Sequence, residues 1–236
     1  GVYLGCGEAF ADFDRFTQSI SGAGGGQDVM REFNDTALRI FDPDAECEYE
    51  PNLPASHLAA LLDAQGPNLN CIAACVSSTQ AIGEAARMLR RDDAGVRLEG
   101  GSHSTIHPFG VTGFQRLSAL STRNDDPATA VRPFDRDRDG FVIGEGAAVI
   151  VLEELEHARR RGAEIWGEVS GYGSSQDAYR VTDTHPDGRG IATAIGGALQ
   201  EAPAAIRGPA SATPRRPRAE PGRAPGSTGS PPTPPS

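Results

Sequence analysis

Lysine is missing from this chain of 236 residues, and all 22 basic side chains are arginine. No lysine is therefore available as a Schiff-base former, a catalytic amine or the cation of a phosphate-binding loop. No apolar run approaches the roughly 18 residues that would cross a bilayer. The amino-terminal stretch also lacks a basic segment followed by an apolar one. Neither a membrane span nor a secretory leader is read, and the expected location is the cytoplasm. Basic charge is in deficit, with 32 acidic against 22 basic groups and a net charge of −10. Nucleic acid and anionic membrane are excluded as main partners, because both require a basic surface. Cysteine is sparse: Cys6, Cys47, Cys71 and Cys75, outside any secretory context, fit reduced thiols and not a disulfide framework.

What is present describes a globular body with an unusual end. The chain is long enough to bury a core as one large domain or two smaller ones. It opens on Gly1-Val2-Tyr3-Leu4-Gly5 without an initiator methionine, which reads as a buried strand already under way and hence as a fragment. From Pro203 onward there are ten prolines, five arginines, one acid and a single large apolar residue, Ile206. Such a Pro/Arg-rich segment cannot bury enough surface to offset its chain entropy, so 203–236 is expected to be a disordered tail. The break after Ala202 is abrupt enough to suggest an out-of-frame or unrelated sequence. A docking tail is the competing reading, though no repeated Pro-x-x-Pro register supports it. Setting aside the tail's five arginines and one glutamate leaves the body at about −14.

Between these ends, strand and helix signals alternate. Strands are expected at 1–5, 68–73, 96–100, 141–143, 147–152 and 165–172, and helices near 10–19, 28–40, 53–62, 77–91, 108–117, 153–161 and 190–202. This order indicates an α/β layered fold, a mixed sheet covered by helices. The glycine-rich stretch 21–26 is read as a connection, since no strand feeds it and no Lys-Ser or Lys-Thr follows.

The residue with the most chemistry in its surroundings is Cys75, in Asn70-Cys71-Ile72-Ala73-Ala74-Cys75-Val76-Ser77-Ser78. A short strand gives way there to a helix, whose face is marked by Thr79, Ile82, Ala86 and Leu89, with Ser77 and Ser78 as start signals and Arg87, Arg90 and Arg91 in its last turns. A thiol at that point meets the unpaired N–H groups and positive dipole end of the helix, which favour thiolate and can hold an oxyanion. The local pattern alone equally allows a small buried hydrophobe, because free cysteine is among the most buried residue types.

Other motifs carry less. Asp135-Arg136-Asp137-Arg138-Asp139-Gly140 imitates a calcium loop, but its twelfth position is Gly146, and arginines stand between the acids. A structural turn with Arg–Asp pairing is expected instead. His103 and His107 have a zinc-like spacing without a following glutamate, and are read as solvated or capping histidines. Gly5-x-Gly7 and Gly171-x-Gly173 both lack the third glycine of a dinucleotide site.

Several ordered segments together resemble the beta-ketoacyl-acyl carrier protein synthases of the elongating type. They are Gly66 to Gly83, Glu99-Gly100-Gly101-Ser102, Gly110-Val111-Thr112-Gly113-Phe114, Ala119-Leu120-Ser121-Thr122-Arg123-Asn124-Asp125-Asp126-Pro127, and the run from Arg132 to Ala147 followed by Val151 to Ala158. The match runs in order from Gly1 to about Ala202. The resemblance implies a thiolase-like fold with two similar halves, here truncated. Residues 1–164 are then the first half lacking its first strand region, 165–202 the beginning of the second, and 203–236 the tail. It also implies a homodimeric acyltransferase that takes an acyl chain onto a cysteine and condenses it with malonyl-carrier, in fatty acid or polyketide synthesis. Cys75 falls on that cysteine. No cofactor or metal is implied, because acyl groups arrive on the phosphopantetheine of an acyl carrier protein. Carrier proteins are usually acidic, so Arg87, Arg90, Arg91, Arg116 and Arg123 are candidates for docking one, against the plainer reading of solvated surface arginines.

The departures from that family are as definite. Its His-Gly-Thr and Gly-His motifs and supporting lysine have no counterpart, since none of His57, His103, His107, His157 and His185 lies in either motif. Loss of acid–base groups of this kind costs on the order of 100- to 10,000-fold, so the chain as written is expected to be inactive in the full condensation. The alternatives are a non-catalytic thiolase-fold partner subunit of a ketosynthase, which typically lacks the cysteine, and a binding protein acting through the tail.

Overall fold

A computed structural model describes residues 1–93 and 95–203. The expected tail lies outside these residues from position 204 onward. Four strands form one mixed sheet in the order β2-β1-β3-β4, where β1 is Val2–Cys6, β2 Asn68–Cys71, β3 Val96–Ser104 and β4 Glu145–Glu153. β1 is parallel to both β2 and β3, whereas β4 runs antiparallel to β3 over nine residue pairs from Val96↔Glu153 to Ser104↔Glu145.

The period-two alternation of β1 assigns its two faces. Val2, Leu4 and Cys6 are buried and pack on Ala55, Leu58, Ala59 and Ala64, from helix α4 (Leu53–Leu61) and the turn after it, with Leu98 of β3 on the same side. The other face lies beneath helix α5 (Ser77–Arg90). Its buried positions, Ser77, Ala81, Gly83, Ala85 and Ala86, are all small residues. This differs from the expected stripe of Thr79, Ile82, Ala86 and Leu89, in which Ile82 and Leu89 prove half-buried. Close approach decides the matter. A Cβ on Gly5 would lie 2.3 Å from the Ser77 carbonyl carbon, and one on Gly101 would lie 1.9 Å from Ser78 Oγ.

Helices α1 (Phe13–Gly22) and α2 (Val29–Ile40) pack on one another, joined by aromatic contacts such as Phe16 against Phe33 at 5.9 Å. A short helix α3 (Pro43–Cys47) follows, capped by the Asp42 carboxylate with proline in its first turn; no helix was expected there. Helices α6 (Pro108–Arg116), α7 (Leu155–Arg160) and α8 (Arg189–Glu201) complete the set.

Two expected strands are corrected. Residues 141–143 contribute only one isolated bridge, Leu120↔Phe141. Residues 165–172 are not a strand: the Val169 and Ser170 carbonyls accept from Arg90 at 3.1 Å and 3.2 Å, and no strand among the described residues pairs with the segment. No described helix is long and apolar enough to cross a membrane.

Candidate active site

β2 delivers the chain to the carboxyl end of the sheet, and within a few residues the backbone reverses into α5. Ala73 has φ −142° and ψ 41°, Ala74 turns left-handed at φ 48°, and residues Ala74–Val76 form one 3₁₀ turn. Cys75 occupies the middle of this turn, exposed, with its thiol free. A non-glycine residue at positive φ is uncommon and signals a turn fixed by its surroundings. The fixing group is Ser77, which is 4% exposed. Its Oγ accepts from Ala73 N at 2.7 Å and donates to Ala74 O at 2.8 Å, while Val76 N donates to Ala73 O at 3.2 Å. The helix begins at Ser77, in keeping with the start signals, but Val76 holds the cap position without a side-chain bond and Ser77 faces back into the elbow. The signal in the sequence was the serine itself; its direction was not legible.

The other three cysteines sit in different surroundings. Cys6 is buried with its Sγ 3.7 Å from Ser102 Oγ, and Cys47 is exposed at the carboxyl end of α3. Burial, with Glu84 adding to it, pushes the Cys71 thiol above its usual range, which disfavours its thiolate. Cys75 alone joins exposure to a helix amino terminus.

α5 is anchored at its far end. Tyr172 lies against Gly83, where a Cβ would come within 2.1 Å of the ring, and the Arg87 guanidinium sits 4.9 Å above the ring centroid. Glu201 of α8 then gathers four donor groups: Arg87 Nε at 3.0 Å and Nη2 at 2.5 Å, Arg90 Nη1 at 2.8 Å and the Tyr172 N–H at 3.2 Å. Its carboxyl is held below the ordinary range, chiefly by the Arg87 hydrogen bond. Arg91 pairs with Asp93 at 3.0 Å. Of the five arginines considered for carrier docking, Arg116 and Arg123 alone form no ion pair among the described residues, although Arg123 lies near enough to Asp139 to help lower its carboxyl.

The two histidines with zinc-like spacing take separate roles. His107 caps α6, its Nδ1 accepting from Phe109 N at 3.1 Å, and stacks on Phe10 at 5.0 Å. His103, on β3, lies against Gly7 with Nε2 3.9 Å from Glu8. In the calcium-like loop the acids are engaged as a turn. Asp139 accepts from Ser121 Oγ and Thr122 N, which lower its carboxyl, Asp135 accepts from Asp137 N, and Arg136 pairs with Asp137 at 3.2 Å.

Cys75 thus lies exposed on a strand–turn–helix elbow. Residues 1–158 match the family model described as the beta-ketoacyl synthase N-terminal domain. The chain belongs to the beta-ketoacyl synthase family. Curated relatives include the mitochondrial 3-oxoacyl-[acyl-carrier-protein] synthase of Arabidopsis thaliana, 48% identical over 151 residues, covering 64% of this chain and 33% of the relative. A second is the chloroplastic 3-oxoacyl-[acyl-carrier-protein] synthase II of the same plant, 42% identical over 201 residues, covering 83% of this chain and 37% of the relative. Among solved structures, a beta-ketoacyl synthase from Burkholderia phymatum STM815 is 31% identical with a TM-score of 0.66, over 84% of this chain and 46% of that one. A type II polyketide ketosynthase in complex with its acyl-carrier protein is 30% identical with a TM-score of 0.67, over 85% and 48%. The layered, thiolase-like α/β fold of these ketosynthases is the one expected from the sequence. The chain spans about a third of the length of the curated relatives and about half that of the solved neighbours.

Proposed function

We propose that this chain carries the acyl-accepting site of a 3-oxoacyl-[acyl-carrier-protein] synthase, with Cys75 as the nucleophile. The observation that carries the reading is the exposed Cys75 on a braced elbow before α5, within residues that match the beta-ketoacyl synthase N-terminal domain. The Cys75 thiolate attacks the carbonyl of an acyl thioester. A new carbon–sulfur bond forms, the tetrahedral oxyanion collapses, and the pantetheine thiolate of the carrier leaves with the electron pair of the broken bond. The backbone N–H of Cys75 supplies one donor to that oxyanion. The acyl group arrives on the phosphopantetheine of an acyl carrier protein, in the cytoplasm, and no metal or further cofactor takes part in this transfer.

Residues 1–164 form the first half of the synthase fold, and 165–202 open the second, held to α5 through Tyr172 and Glu201. The parent assembles as a homodimer. An acidic carrier docks against Arg116 and Arg123, the two candidates outside any ion pair among the described residues. The decarboxylating condensation that would follow needs histidine motifs and a lysine that these 236 residues do not contain. Cys75 itself separates this reading from that of a non-catalytic partner subunit.

The test is acyl transfer. Incubation with an acyl-pantetheine thioester should add one acyl group, removable by hydroxylamine and mapped by fragmentation to Cys75. The addition should vanish in Cys75→Ala and persist in Cys71→Ala. An adduct spread over several cysteines, or none at all, contradicts the proposal.

A further inference from the structure

We propose that Ser77 is the positioning residue for this site: its buried hydroxyl locks the elbow that aims the Cys75 thiol and N–H at the incoming thioester. The inference rests on the reading of Cys75 as the acyl acceptor, and adds to it a residue that acts only through Cys75.

Three observations converge on Ser77. First, the elbow is held in a conformation that its own sequence does not favour, with an alanine, not a glycine, at φ 48° immediately before the nucleophile. Second, one hydroxyl spans that strained peptide, taking the Ala73 N–H at 2.7 Å and giving its proton to the Ala74 carbonyl at 2.8 Å. The first group belongs to the peptide entering Ala73 and the second to the peptide leaving Ala74, so the hydroxyl ties together the two ends of the left-handed turn. Third, the serine cannot swing away. It is 4% exposed, and its backbone lies so close to β1 that a Cβ on Gly5 would meet its carbonyl carbon at 2.3 Å.

The same bonds limit what Ser77 does chemically. Its only proton is committed to Ala74 O, so it does not relay a proton to or from the thiol. Its contribution is orientation. A helix terminus and a thiol stabilise a developing oxyanion only when donor and sulfur stand in fixed relation. Without the hydroxyl, Ala73 N–H and Ala74 C=O lose that shared partner, and the alanine can relax toward ordinary backbone angles. Both Cys75 Sγ and Cys75 N–H then turn with it.

The experiment is single-turnover acylation by an acyl-pantetheine thioester, read by mass spectrometry on the 236-residue chain as a function of thioester concentration. Ser77→Ala should lower the limiting acylation rate about 10- to 100-fold, the range expected for misplacement of a reacting group by about 1 Å. The half-saturating concentration should stay the same, because no contact with the substrate has been removed. Ser77→Thr, which keeps a hydroxyl, should recover the rate to within a few-fold. Circular dichroism checks the fold. If Ser77→Ala fails to fold, Ala74→Gly with Ser77→Ala removes the strained alanine, and should fold yet acylate slowly. A limiting rate for Ser77→Ala within threefold of the unmodified chain overturns the proposal, as does a loss that threonine does not repair. Failure of the unmodified chain to acylate at Cys75 overturns the nucleophile reading, and this inference with it.

Discussion

Glu99 offers a quantitative check on how the sheet is built. Arg97 and Glu99 lie two residues apart on β3, on the face covered by α5, and both are 0% exposed. Arg97 Nε donates to Glu99 Oε1 at 3.0 Å, but Arg97 Nη1 and Nη2 and Glu99 Oε2 have no partner among the described residues. Burial pushes the Glu99 carboxyl up from 4.5 to about 7, in spite of the opposing hydrogen bond and charge of Arg97. Between these values the native protein holds a proton that the unfolded chain has released, so stability falls as pH rises through the window. The interval from 4.5 to about 7, at about 1.4 kcal/mol per pH unit, gives a loss of about 3 kcal/mol between pH 4.5 and pH 7 to 8. Glu99→Gln imitates the protonated carboxyl and keeps an acceptor for Arg97 Nε. Urea unfolding of both proteins, at matched concentrations from pH 5 to pH 8, isolates the effect, since every other titrating group cancels in the difference. The variant should come within about 1 kcal/mol of the parent at pH 5 and exceed it by about 3 kcal/mol at pH 8. If Glu99→Gln is instead destabilised at pH 8 by the roughly 3 to 5 kcal/mol typical of an orphaned buried ion, the pair outweighs desolvation and the reasoning is refuted.

Two further outcomes follow from contacts. Gly83→Ala places a methyl where the Tyr172 ring lies, 2.1 Å away, so it should cost about 1 to 3 kcal/mol and expose 165–202 to proteases; unchanged proteolysis would mean that Tyr172 does not seat there. β4 leaves Val149, Ile150 and Val151 each at least 42% exposed, so the chain should self-associate at micromolar concentration by light scattering. Ile150→Lys should reduce that association, and a monodisperse parent chain would contradict the expectation.

Much of the sheet was legible because its strands announce themselves by composition and alternation. Val2, Leu4 and Cys6 face one way in β1, and 147–152 lies inside β4. The extension of β3 to Ser104 was hidden by Gly100 and Gly101, which look like a strand end. In the structure they let β4 and α5 approach: a Cβ on Gly100 would lie 2.0 Å from Ala148 O. Residues 165–172 alternate like a strand, yet a strand is made by its neighbour, and in the structure Arg90 and Glu201 take those backbone groups instead. The helix at Pro43–Cys47 could have been found from Asp42-Pro43, an N-cap followed by proline.

At the site, Cys75 was visible as a cysteine between an apolar run and a helical period. Ser77 was visible only as a start signal, because whether a serine caps a helix or braces the turn before it depends on backbone angles that spacing does not encode. The Arg97–Glu99 pair was missed for a related reason. Charged residues in a strand normally point to solvent, and only the helix lying on that face makes them interior.

The central claim is that the elbow makes Cys75 a nucleophile. The most direct test is competitive alkylation of the folded chain with limiting iodoacetamide, quantified at each cysteine. Cys47 is the fair reference, since it too is exposed but stands at the carboxyl end of its helix, where the dipole opposes thiolate. The account predicts that Cys75 reacts at least several-fold faster than Cys47 and faster still than Cys6 and Cys71, with the preference lost in 8 M urea. Equal rates at Cys75 and Cys47 in the folded chain would contradict it.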